Sequence, residues 1–466
     1  MRHAQLVAFL ISGGLCTATG ALAQGAPAKE SAPQEVAQAG AARQASTDVQ
    51  PTTPAPATPS TTAPAAAAPA AVTAPPPTGI AVPGTNDLVR IYGIVITRFV
   101  ASTSAVESYG QPNAVAITAA GNPILSNSPD NARYTFQAAQ SRFGLWVNER
   151  GAVRGQLEFD FVDFAKASPT VASLPRLRIA KAEWAIGGGH SVALGQDWDL
   201  YAPVNPHGIN MVGALFQAGN SGFMRQQLKY FYADDNFEVG AAVGFPAVNA
   251  GAKDSAFEIS TLPTLAARAA YKFGKSRVGV SAITTELPFN IATDNERRTR
   301  AVAMALYSDL NPLPTTNVRV ELNYGQDGAN IGLLTIAQGN TAGDVQEAGG
   351  FVSVRQALAA DHALYGMVGT QRVLNPAALV PSYAYPAGTT GTPAPGTATS
   401  AGTGPGIVYN NAARLGYEYK PLPSVSIVFE GFLYQTRHYL QALDTARATS
   451  GVRRALGVET GAMLTF

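Results

Sequence analysis

Across residues 88–466 apolar and polar positions alternate with a period of two. Val153, Gly155, Leu157, Phe159 and Phe161 fall on one parity, and Arg154, Gln156, Glu158 and Asp160 on the other. Val318, Val320, Leu322 and Tyr324 oppose Arg319, Glu321 and Asn323, and Ala413, Leu415, Tyr417 and Tyr419 oppose Arg414, Gly416, Glu418 and Lys420. The pattern recurs at 237–245, 265–273 and 425–429. Successive side chains of a strand point to opposite faces, so each segment is a strand with one apolar and one polar face.

A soluble sandwich alternates in the same way, so the connections decide the fold class. Seven short turns, near 149–151, 187–190, 233–236, 274–276, 310–316, 359–363 and 420–424, interleave with eight long loops. The loops lie near 102–131, 165–173, 201–220, 248–262, 288–299, 326–344, 373–409 and 437–451. Short turns on one rim and long loops on the other predict an all-β chain, a 16-stranded antiparallel transmembrane β-barrel. A sandwich has no reason to sort loop lengths by parity. Leu456, Val458, Thr460, Ala462, Leu464 and Phe466 continue the alternation to a terminal aromatic, which resembles the signal read by outer-membrane insertion machinery. Tyr230, Phe231, Tyr232, Tyr417, Tyr419 and Tyr434 sit near strand ends, as an interfacial aromatic girdle requires.

The N-terminal region has a different texture. Arg2 and His3, an apolar stretch at 6–15 and Ala21-Leu22-Ala23 read as a signal peptide over 1–23, with export to the outer membrane of a Gram-negative bacterium. Cys16, the sole cysteine, lies within it, and Leu15 in front of it departs from a lipobox. The mature chain therefore has no disulfide, thiolate ligand or thiol nucleophile. Residues 24–86 read as a disordered Pro/Ala-rich linker; 51–78 holds nine prolines and no charge. Extended as polyproline II it would reach on the order of 200 Å, at about 3.1 Å per residue. It is either a periplasmic tether in contact with the cell wall or an unstructured spacer. The barrel is placed at 87–466.

Composition narrows the function. Charged residues make up 14% of the chain and hydrophobic ones 46%, against about 25% charge in an ordinary soluble domain. Lys and Arg number 32 and Asp and Glu 31, which argues against a nucleic-acid partner. The expected partners are outer-membrane lipid and lipopolysaccharide outside, and small polar or anionic solutes inside.

Sixteen strands enclose an aqueous lumen, and the polar parity lines it. Arg142, Arg154, Arg225, Lys229, Arg268, Lys272, Arg277, Arg319, Arg355, Arg414 and Lys420 fall on that parity, against Glu158, Asp160, Glu238, Glu321, Glu418, Glu430 and Glu459. A surplus of Arg and Lys in a narrow pore favours anions, since a guanidinium holds a carboxylate through two hydrogen bonds. Alternatively, these cations pair with lumen acids and only brace the wall. The third long loop, 201–220, is apolar at Ile209, Met211, Val212, Leu215 and Phe216, so it should fold into the barrel as a constriction or pack at an oligomer contact. Asn205, His207 and Asn210 lie on it, and Asp197 and Asp199 precede it, where an Arg wall opposite would set a transverse field.

Two motifs carry a family resemblance. Residues 141–161, SRFGLWVNERGAVRGQLEFDF, resemble the second and third strands of the DcaP-like porins. PRLRIAKAEW at 175–184, followed by GQDWDL at 195–200, is similar to the next hairpin of that family. The resemblance implies a homotrimer of 16-stranded barrels, with a positive lumen carrying small organic anions such as dicarboxylates. It places Arg142, Arg154, Arg176 and Arg178 in the lumen wall. Members often begin with a coiled coil, whereas 24–50 here lacks heptads. Parity also breaks between Arg176 and Trp184: Arg176 and Arg178 share a phase with Trp184, and Lys181 and Glu183 with Leu177 and Ile179. A β-bulge would restore it.

Other signals carry little. Gly187-Gly188-Gly189 lacks the Lys-Ser/Thr and helix of a phosphate loop and reads as a hairpin turn. His190, His207, His362 and His438 are isolated, with no ligand spacing, so no metal or other cofactor is expected. There is no G-x-S-x-G, and no enzyme is expected. Two alternatives to the anion-preferring porin are a structural or surface-interaction barrel, using the 373–409 loop and the linker, and a saccharide-preferring porin, which would need an aromatic track inside.

Overall fold

The computed structural model describes residues 80–81, 88–104, 132–162, 175–201, 203–210, 214–222, 224–245, 262–289, 297–333, 335–336, 344–379, 407–438 and 452–466, with short extended pieces between 106 and 124. The signal peptide, nearly all of the linker and the larger part of the 373–409 loop lie outside the described residues.

The barrel strands run in chain order. They are β1 (Leu88–Ser102), β2 (Arg133–Gln137 continued by Arg142–Val147), β3 (Val153–Asp160), β4 (Arg176–Gly187), β5 (His190–Trp198), β6 (Met224–Ala233), β7 (Phe237–Gly244) and β8 (Thr264–Phe273). The second half comprises β9 (Ser276–Phe289), β10 (Arg297–Leu313), β11 (Thr316–Gln326), β12 (Gln346–Ala357), β13 (His362–Val373), β14 (Ile407–Leu422), β15 (Val425–His438) and β16 (Val452–Thr465). Every strand pairs antiparallel with the next, and β1 closes on β16 from Ile94↔Thr465 to Ser102↔Gly457. The result is a closed 16-stranded antiparallel barrel, the architecture read from the alternation and from the sorting of turns and loops.

Closure depends on a close approach. Gly93 exchanges two backbone hydrogen bonds with Phe466, at 3.0 and 3.1 Å, and the Phe466 ring lies where a Gly93 side chain would be. With Phe466 seated there, the ring faces outward.

The apolar parity faces outward on every wall. Val95, Phe99, Leu194, Leu228, Leu265, Met304, Leu306, Leu415, Leu456 and Val458 are exposed. Burial instead gathers inside. Leu200 and Tyr201 pack on Ala266, Ile283 and Ala303 of β8–β10. Val204, Ile209, Ala214, Leu215 and Ala218 pack on Ile96, Phe351, Tyr365, Met367, Ala412, Val428 and Phe432 of β1 and β12–β15. These described residues of the third loop fold into the barrel; Met211 and Val212 lie outside the described residues.

The strand register shifts between Leu177 and Ile179, where β4 pairs with β3. That bulge is the one the broken parity of residues 176–184 calls for. It inserts one residue at Arg178, so Arg176 and Arg178 above it and Lys181 and Glu183 below it all project inward, while Trp184 points out.

Candidate functional site

The third loop spans the lumen and is held by side chains of the wall. The Ile209 N–H donates to Glu430 Oε1 at 2.9 Å, and Asn323 Nδ2 donates to Gly219 O at 2.9 Å. Asn410 Nδ2 donates to Gln217 O, Ser221 Oγ donates to Glu321 Oε1 at 3.0 Å, and Gln140 Nε2 reaches Asn210 Oδ1 at 2.7 Å. Gly369 faces the loop so closely that a Cβ there would sit 2.1 Å from Ala218 O. Leu215 and Gln217 adopt φ of 60° and 63°. Left-handed backbone at non-glycine residues costs about 1–3 kcal/mol each and persists only where the surroundings over-determine it. Leu215, fully buried with its carbonyl accepting from Ala218 N–H and Asn220 N–H, meets that condition.

His207 is the hinge of this clamp. Its backbone N–H donates to Ser353 Oγ at 2.9 Å, its Nδ1 lies 2.7 Å from the same hydroxyl, and its Nε2 lies 2.7 Å from Asn317 Oδ1. Asn317 Nδ2 in turn donates to Asp309 Oδ1 at 2.7 Å, which fixes the amide orientation. All of these bonds are satisfied together by a neutral ring protonated at Nε2 and accepting from Ser353. Burial, and then the Arg319 guanidinium, push the His207 pKa down to about 4.

Beside the loop lies a lumen cavity of about 420 Å³. Its lining includes Arg142, Trp198, Asn205, His207, Asn210, Arg319, Arg355 and Lys420, and its one carboxylate among the described residues is Glu418. Arg319 donates to Asn205 O at 3.0 Å and lies 3.5 Å from Asp309; Arg355 and Lys420 share Glu418 at 2.8 and 3.3 Å. About a third of each of these three side chains stays open to water. Three partly wet cations against one shared carboxylate and Asp309 leave this cavity, at the short-turn end of the lumen, positive.

The remaining cations divide into two groups. Arg176 holds Asp160 through two hydrogen bonds, at 2.7 and 2.9 Å, and Arg178 bridges Glu158 and Asp160 at 2.6 and 2.9 Å. Arg154 pairs with Glu183; Arg268 and Arg277 share Glu238 at 3.9 and 3.3 Å; Lys272 stands at the short-turn end of β8. These line the wall, and Arg277 also donates to Pro203 O of the loop at 3.4 Å. Arg225 and Arg414, like Arg178, are sealed from lumen water. Arg225 clasps Asp199 and donates to Phe245 O and Ile331 O. Arg414 sits behind the loop between Glu430 and Glu459, with Arg98 on Glu459 and the Tyr365 hydroxyl on Glu430. Asp197 is shared by Lys181 at 3.0 Å and Lys229 at 2.5 Å. Asp197 and Asp199 are thus both paired with cations of the wall.

Arg98, Lys181 and Tyr365 are members of these networks that the sequence reading leaves out. The parity of Arg90, Tyr92 and Arg98 on β1 carried the signal for Arg98; Lys181 was hidden by the bulge. Tyr365 carries no signal, because its partner is set by strand register.

No family model matches the sequence, and no curated protein matches it. Among solved structures it is similar to the outer membrane channel DcaP of Acinetobacter baumannii, with a TM-score of 0.58 at 13% identity, covering 82% of this chain and 97% of that one. The chain has the DcaP fold. An anion-selective porin from Comamonas acidovorans superposes with a TM-score of 0.51 at 12% identity, over 82% of this chain and 100% of that one. Identity this low concerns the barrel alone; a DcaP-type barrel fits the sixteen strands and the inserted loop described above.

Proposed function

We propose that this protein is an outer-membrane porin for diffusion of small anionic organic solutes, dicarboxylates among them. It is exported behind the 1–23 signal peptide, tethered by 24–86 and assembled as a homotrimer in the outer membrane of a Gram-negative bacterium. The observation that carries the reading is the cavity beside the loop, where Arg142, Arg319, Arg355 and Lys420 meet a single lining carboxylate. Confined cations with low-dielectric walls raise the local concentration of anions and exclude cations. The anion-selective barrel from Comamonas acidovorans has the same fold, which is consistent with this use of it. No bond is made or broken in the solute, so the chain is proposed to act without catalysis.

The test is reversal potential across a planar bilayer in a salt gradient. The wild-type channel is expected to pass anions preferentially, and Arg319→Glu with Arg355→Glu to abolish or invert that preference. Raising ionic strength from 0.1 M to 1 M shortens the screening length from about 10 Å to about 3 Å, so the preference should decay. A cation-selective wild type, or a double variant with unchanged selectivity, would overturn the reading.

A further inference from the structure

The outer wall over β12–β16 and β1 is a trough rather than a ridge. Gly366, Ala413 and Gly431 take outward positions on β13, β14 and β15, with Phe99, Leu415 and Leu456 standing among them. The concavity measures about 1070 Å³ and is almost wholly apolar, just above the roughly 300–1,000 Å³ that holds a drug-sized ligand. A methyl group built on Gly431 would meet nothing within 4 Å, so the space is open.

At the long-loop end, outward guanidinium groups crown the trough. Arg372, Tyr409 and Arg437 form one cross-strand row, and the Arg372 and Arg437 guanidiniums lie over the Tyr409 ring at 5.3 and 6.0 Å. Arg454 is the diagonal neighbour of Arg437 on β16, and Arg133 lines the trough itself. All four arginines are exposed, and no carboxylate among the described residues forms an ion pair with them. The lumen arginines, by contrast, are heavily paired. On the outward positions of the described strands the only acid is Glu286, far around the barrel on β9. A second copy of this wall therefore brings little to neutralise the crown, whereas an anionic amphiphile satisfies crown and trough together.

We propose that this face binds an anionic glycolipid of the outer leaflet, with a phosphate on Arg372, Arg437 and Arg454 and an acyl chain in the trough. Guanidinium pairs with phosphate through two parallel hydrogen bonds, and stacking on Tyr409 pre-orients two of the three groups. The proposal rests on the outer-membrane reading, since it requires the long-loop rim to face the glycolipid leaflet.

The test is native mass spectrometry of the full chain in detergent, titrated with bis-phosphorylated lipid A and with its dephosphorylated form. The wild type is expected to retain the phosphorylated lipid at least about tenfold more tightly than the other, as charge-assisted Arg–phosphate pairing requires. Substituting Arg372, Arg437 and Arg454 together by Gln should remove that difference. Gly431→Trp, which fills the trough and keeps the charges, should weaken retention of both lipids. Equal retention of the two lipids by the wild type, or an unaltered difference in the triple variant, would overturn the proposal. So would a Gly431→Trp protein that loses its oligomeric state while holding lipid normally, because the trough would then be a contact between subunits. Reversal potentials of the same variants test the channel separately: a barrel that binds the phosphorylated lipid selectively but conducts nothing supports this site and sinks the porin reading.

Discussion

Charged side chains inside the barrel do two different jobs, and solvent access separates them. Arg225 with Asp199, and Arg414 with Glu430 and Glu459, are cut off from water and hold elements together. Removing one partner of such a pair strands the other and costs about 3–5 kcal/mol. Asp199→Ala is therefore expected to lower the temperature at which the folded band is lost on unheated gels, with reversal potential unchanged. Arg319 and Arg355 behave oppositely: exposed pairs contribute about 0–1 kcal/mol, so their substitution should alter selectivity with little effect on melting. His207 adds a pH dependence. Its folded pKa of about 4 lies below the ordinary 6.5, so the unfolded or released ring binds the proton more readily than the clamped one. The clamp is fully stabilising above about pH 6.5 and weakens as pH falls toward 4, where a second ring proton removes the acceptor for Ser353 and adds charge beside Arg319. Single-channel records are expected to grow noisy between pH 6 and 4, and His207→Gln to remove that pH response; a wild-type trace equally quiet at both ends would refute the clamp.

At the level of elements, the third loop is the part whose position decides the pore. It buries Leu215, Phe216 and Ile209 against the wall and is tied by hydrogen bonds to β11, β12, β14 and β15. Gly369 on β13 permits the approach, since any side chain there meets the Ala218 carbonyl. Gly369→Val should push the loop off the wall and raise single-channel conductance while the barrel stays folded. The β4 bulge is a second decisive element: without the extra residue at Arg178, either the Arg176–Arg178 end or the Lys181–Glu183 end would face lipid. A cationic side chain at the bilayer midplane of a barrel costs about 2–4 kcal/mol, so the register shift is the cheaper solution.

For the molecule as a whole, the same alternation that makes a wet interior leaves an apolar exterior, and closure removes the sheet edges that would otherwise aggregate. The weak point of closure is the β1–β16 seam, where the Phe466 ring lies over Gly93. Gly93→Leu collides with both that ring and the Arg142 carbonyl, and is expected to abolish the heat-modifiable folded band; a normally folded variant would show that the seam tolerates a side chain.

The sequence by itself determined the number of strands, which face of each meets water, and where turns and long loops fall, because period-two polarity and turn chemistry are local properties of the chain. It also left the apolar stretch within 201–220 two places, inside the barrel or at an oligomer contact, since such a stretch has no stable place at a wet rim; the packing of Ile209 and Leu215 inside was decided by the tertiary structure. Which lumen cations stay in water and which are sealed into pairs was decided only by the tertiary structure. Arg225 and Arg319 both face inward and both meet a loop carbonyl, yet Arg225 is also clasped by the buried Asp199 and sealed, whereas Arg319 keeps about a third of its side chain in water. The trough and its arginine crown belong to that second kind as well: Gly366, Ala413 and Gly431, or Arg372 and Arg437, become neighbours only once strand register brings distant segments side by side.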